Sequence, residues 1–117
     1  MHRRYHVDLG IPDEVEYPVV GHALTYTVHA YSEAQKDRAS TRLPTSLPDY
    51  ALVEVETSGP YVTQWVVRVG LDGARDLCLV ITRDYVVKTV WVNRHDDAHD
   101  TLDRTKYDRP RSMTAVH

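Results

Sequence analysis

Phenylalanine is absent from this chain and cysteine occurs once. Without Phe, aromatic bulk falls to eight Tyr and two Trp. The lone Cys78 excludes an internal disulfide. Set in the apolar run DLCLVIT, it reads as a small buried hydrophobe, and its solitude fits a reducing, cytoplasmic compartment. No apolar run is long enough to span a membrane, and the opening MHRRYHVDLG has no apolar stretch of the kind a secretory leader carries, so neither is expected. Basic residues are not in excess: 14 Lys and Arg stand against 17 Asp and Glu, for a net charge of −3. That balance gives no general attraction to nucleic acid or to an anionic membrane, and no preference for DNA is expected. No HExxH, no calcium-loop pattern, no internal repeat and no low-complexity segment occurs, so no metal or other cofactor is expected.

What is present fits one domain of 117 residues, with flexible ends expected over 1–16 and 111–117. Ala23, Thr27, Ala30, Tyr31, Ala34 and Arg38 recur at helical spacing and predict one long helix over residues 18–39, with Pro18 in its first turn. The opposite side of that helix would carry His22, Tyr26, His29, Glu33 and Lys36. STRLPTSLPD ends it. Four β-branched, partly alternating runs then predict strands over 50–57, 61–69, 77–82 and 85–93, joined by Ser58-Gly59-Pro60, by Asp72-Gly73 and by Arg83-Asp84. Short links between successive strands favour an antiparallel meander. The expected fold is therefore α+β: one long N-terminal helix packed on a four-stranded antiparallel meander, with a polar C-terminal segment.

Chemistry could sit in four places. His22 and His29 on the helix could act as acid and base, or belong to a solvated face. His95, Asp97 and His99 form a ligand-rich run that also reads as a charged turn. Lys88 lies among Val86, Val90 and Val92, either snorkelling from an edge or placed in a concave site. Arg104, Lys106 and Tyr107 could bind a phosphate and position a substrate, or form a surface salt-bridge network.

Lys88, Asn93, His99, Arg104, Lys106 and Tyr107, with His22 and His29 ahead of them, give a layout that resembles the compact ribonuclease toxins of the RelE and colicin D type. The string TVWVN…DDAHDTLD…KY is also similar to small phage and actinobacterial proteins without an assigned function. The first resemblance implies a metal-independent endoribonuclease that cleaves RNA by 2′-OH attack. His22, His29 or His99 would serve as acid or base, Lys88 and Arg104 as phosphate clamps, Tyr107 in positioning, and Lys106 and Asn93 in substrate binding. The alternative is a small non-catalytic interaction protein that binds and perturbs a protein partner. It is motivated by the acidic balance and by exposed Tyr and His side chains.

Overall fold

The computed structural model describes residues 2–94 and 104–110. Its centre is a six-stranded sheet in the order β1-β3-β4-β5-β6-β2. The strands are β1 (His2–His6), β2 (Thr25–Tyr26), β3 (Ala51–Ser58), β4 (Tyr61–Gly70), β5 (Arg75–Thr82) and β6 (Val86–Arg94). Between β2 and β3 lies helix α1 (Val28–Lys36), and short 3-10 turns occupy Val7–Leu9, Ser40–Arg42 and Arg104–Lys106.

The fold expected from the sequence is overturned in two respects. The helix has nine residues, not the twenty-odd predicted from position 18, and the sheet is six-stranded and mixed, because β2 runs parallel to β6. The helix begins late because Thr27 caps it: its hydroxyl accepts the Ala30 N–H at 3.1 Å. Ahead of that cap, Val19, Val20, Gly21 and Thr25 are poor helix formers. Their backbone pairs elsewhere: Gly21 N–H donates to the Leu47 carbonyl at 2.7 Å, and Leu24 N–H to that of Thr45 at 2.9 Å. The helix ends in a Schellman motif without glycine. Arg38 takes φ +57°, and the Ala39 N–H reaches back to the Ala34 carbonyl at 2.8 Å.

The N-terminal residues, expected to be flexible, form edge strand β1. Arg4 lies opposite Glu56 and His6 opposite Glu54 in an antiparallel register. The alternation of acids in β3 therefore meets basic side chains across the pair, an arrangement that favours pairing. The β3–β4 hairpin turns through Gly59 and Pro60, with Ser58 opposite Tyr61. Gly59 has φ +58°, the sign a two-residue hairpin turn requires at its first central position.

One face of the sheet carries the core: Val55, Trp65, Val67, Val69, Leu77, Leu79, Ile81, Val87 and Val90 are all buried. Ala30 and Ala34 of α1, both fully buried, let the helix lie close along β6. Leu24 and Leu47 continue this cover. On the opposite face, Val66, Cys78 and Val80 are also buried, and Arg68 and Asp76 pair at 2.7 Å. No helix among the described residues is long and apolar enough to cross a membrane.

Candidate docking surface

The residues singled out from sequence do not converge. His22 lies on the loop before β2, where its ring stacks on Tyr85 at 3.6 Å between centroids and its Nδ1 lies 2.9 Å from the Ala23 carbonyl. His29 is exposed on α1, 3.2 Å from Glu33. The same Glu33 carboxylate accepts the Val90 N–H at 3.2 Å, tying α1 to β6. Lys88 is the extra residue of a β-bulge, where pairing steps from Val80–Thr89 to Ile81–Val87. It is exposed, and its side chain does not share a regular face with Val90 and Val92. Asn93 turns to the far face, with its amide nitrogen 3.5 Å from Cys78 Sγ. His99 lies outside the described residues.

Arg104, Lys106 and Tyr107 sit at the other side of the sheet. The Tyr107 hydroxyl donates to Glu54 of β3, and its ring meets the buried His6 edge-on at 5.1 Å. Asp108 then closes the outer edge of β1: its carboxylate accepts the Arg4 N–H at 2.9 Å and its own N–H donates to the Arg4 carbonyl at 2.7 Å. Pro110 is fully buried. Tyr107 thus anchors the tail. Three strand spacings, roughly 14 Å, separate its partner strand β3 from β6 and Lys88. Among the described residues, no group of three or more His, Cys, Asp or Glu side chains could hold a metal ion.

A different surface is built with more care. Residues 10–24 run across one end of the sheet without regular structure, held by the polar tips of three aromatic side chains. Trp65 Nε1–H donates to the Glu16 carbonyl at 2.8 Å, and the Tyr50 hydroxyl to the Pro18 carbonyl at 2.7 Å. The Tyr85 hydroxyl accepts the Val19 N–H at 3.0 Å. Tyr85 itself is held at φ +63°, a conformation that costs a bulky L residue about 1–2 kcal/mol. That strain sits where the ring serves His22, Trp65 and the loop together. Burial, reinforced by the nearby Tyr17 and Tyr85 hydroxyls, raises the Tyr50 pKa above its ordinary value. Burial alone raises that of Tyr26, whose hydroxyl donates to the Pro44 carbonyl at 2.6 Å.

The pinned loop turns Pro18 inward and leaves Tyr17, Val19 and Val20 each more than half exposed, at 51%, 57% and 53%. Asp13, Glu14 and Glu16 beside them are exposed as well. Tyr61, at the β3–β4 turn on the same end of the sheet, is 62% exposed, with the Arg83 guanidinium 5.3 Å from its ring centre.

No family model, curated protein or solved structure matches this chain.

The resemblance to ribonuclease toxins accordingly stays a proposal about function. The sequence reading missed the loop because DEVEYPVV looks like the approach to a helix. The available signal was the cluster of acids followed by Tyr-Pro-Val-Val. Such a run shows no helical alternation.

Proposed function

We propose that the protein is a non-catalytic binding module whose loop 13–20 docks on a protein partner. The observation that carries this reading is the exposure of Tyr17, Val19 and Val20 on a backbone fixed by Trp65, Tyr50 and Tyr85. Apolar side chains that project from a pre-ordered segment lose little further entropy on binding, and tyrosine offers a large contact area at low entropic cost. Asp13, Glu14 and Glu16 rim the apolar group with negative charge. The partner would therefore be an apolar patch bordered by Lys or Arg, which would steer association electrostatically.

The test is capture from a cell lysate by wild type and by the triple variant Tyr17→Ser, Val19→Ser, Val20→Ser. A stoichiometric protein retained by wild type and lost from the folded variant supports docking through this loop. Equal retention by both removes it. The ribonuclease proposal needs His22, His29 or His99 as acid or base, with Lys88, Arg104 and Tyr107, to act on one phosphate. Incubating the protein with total RNA in EDTA checks it, and cleavage lost in His99→Ala would replace the docking reading.

A further inference from the structure

Behind the acidic part of the loop lies a cleft of about 120 Å³, lined by Tyr5, Pro12, Glu14, Val15, Thr57 and Val62 and closed by the Gly59-Pro60 turn. Its size narrows what it can hold. Ligand pockets for nucleotides or drug-sized molecules run to roughly 300–1,000 Å³, and a cavity of about 150 Å³ holds one benzene ring. The cleft therefore suits one side chain and excludes a nucleotide.

Its chemistry is divided along its depth. The Tyr5 ring and Val62 are buried apolar walls, with Val15 and Pro12 half-buried above them. Thr57 is only 8% exposed. Among the described residues neither its side chain nor the Tyr5 hydroxyl makes a hydrogen bond, and no buried side-chain oxygen there lacks a partner, so neither hydroxyl is sealed from solvent, and both residues line the cleft. Glu14, exposed, sets a carboxylate at the rim. An occupant that satisfies all three needs an apolar stem and a head that both donates hydrogen bonds and carries positive charge. An ammonium on a straight alkyl chain has those properties, with three donors on a compact head.

We propose that this cleft receives one lysine side chain of the partner, its methylenes against Tyr5, Val15 and Val62 and its ammonium shared between Glu14 and Thr57. The assignment rests on the docking reading of the adjacent loop and names the residue that the acidic rim selects. Arginine fits less well, because its planar five-donor fork is wider than the compact ammonium.

n-Butylammonium chloride, which reproduces the lysine side chain, tests this by titration into the ¹⁵N-labelled full chain at constant ionic strength. Saturable shifts of the Val15, Thr57, Gly59 and Val62 amides are expected. Glu14→Gln should weaken binding about two- to fivefold, the worth of a partly exposed ion pair. Thr57→Val should weaken it more, by about tenfold, through loss of one hydrogen bond to a charged group, whereas Thr57→Ser, which keeps the hydroxyl, should bind as wild type does. n-Butanol should give no saturable shift. Linear shifts, affinity unchanged in Glu14→Gln and Thr57→Val, or tighter binding of n-butylguanidinium would each overturn the lysine assignment. None of these outcomes touches Tyr17, Val19 or Val20. A flat titration beside capture that still depends on those residues therefore removes the lysine alone, while capture indifferent to them removes the docking reading.

Discussion

Residues 10–24 and helix α1 are near neighbours in the chain, yet they hold their shape by different means. In α1 the backbone satisfies itself. Thr27 supplies the cap, Arg38 and Ala39 close the C-terminus, and Ala30 and Ala34 seat the helix on β6. In 10–24 the backbone has no regular ladder. Its carbonyls and amides at Glu16, Pro18 and Val19 are taken up by the side chains of Trp65 in β4, Tyr50 just before β3 and Tyr85 just before β6. The helix consequently spends its apolar atoms on the core. The loop is left free to direct Tyr17, Val19 and Val20 outward. Order and exposure coexist in the loop because its anchors are polar tips that reach up from below.

The comparison can be broken most severely at Trp65. Trp65→Ala removes the largest fully buried side chain together with the bond to Glu16. It should cost about 3–5 kcal/mol, read by chemical denaturation. The loop amides should exchange faster before those of α1 do, and simultaneous loss of protection in both would mean that the two regions unfold as one unit. Ala34→Leu is the converse. It overpacks the helix seat and should cost about 1–3 kcal/mol while leaving the Val19 amide protected.

A matched pair of smaller changes sharpens the contrast. Tyr85→Phe deletes the acceptor for the Val19 N–H, and Thr27→Ala deletes the acceptor for the Ala30 N–H. Each should cost about 1 kcal/mol. Hydrogen exchange should show the first confined to the loop and the second to the start of α1. Crossed effects would sink the idea that the two are held independently.

The smallest effect concerns alkaline pH. The Tyr50 pKa is raised in the folded protein above its ordinary value of 10.0, first by burial and then by Tyr17 and Tyr85. Its contribution is therefore complete below pH 10.0 and lost as pH rises through the raised value, when the hydroxyl can no longer donate to Pro18. The loop should loosen on that limb before α1, and Tyr50→Phe should flatten the limb.

Much of the sheet was legible from local pattern. The runs that became β3 to β6 are rich in Val, Ile and Thr and are punctuated by Gly59-Pro60 and by Asp72-Gly73. These signals depend on residues close in sequence, and so the strand positions could be read from them. The helix was misread because Ala23, Ala30 and Ala34 recur at helical spacing; the Thr27 cap is local, but the partners that take up the Gly21 and Leu24 amides, Leu47 and Thr45, lie more than twenty residues away. β1 was missed because HRRYH looks like a polar terminus until Glu54 and Glu56 stand opposite it. The expected site was drawn from residue types alone. His29, Lys88 and Tyr107 each have the right chemistry for an active site, and nothing in their spacing reveals that the width of the sheet separates Tyr107 from the β6 side where α1 and Lys88 lie.

By itself, then, the sequence determined the long strands, their turns and the burial of Cys78, because apolar alternation and turn chemistry act over a few residues. Only the tertiary structure decided the pairing of β1 and the pinning of loop 10–24 by Trp65, Tyr50 and Tyr85. Each of these depends on a hydrogen-bond partner supplied from a distant part of the chain, and a local pattern carries no record of which partner the folded sheet will bring within reach.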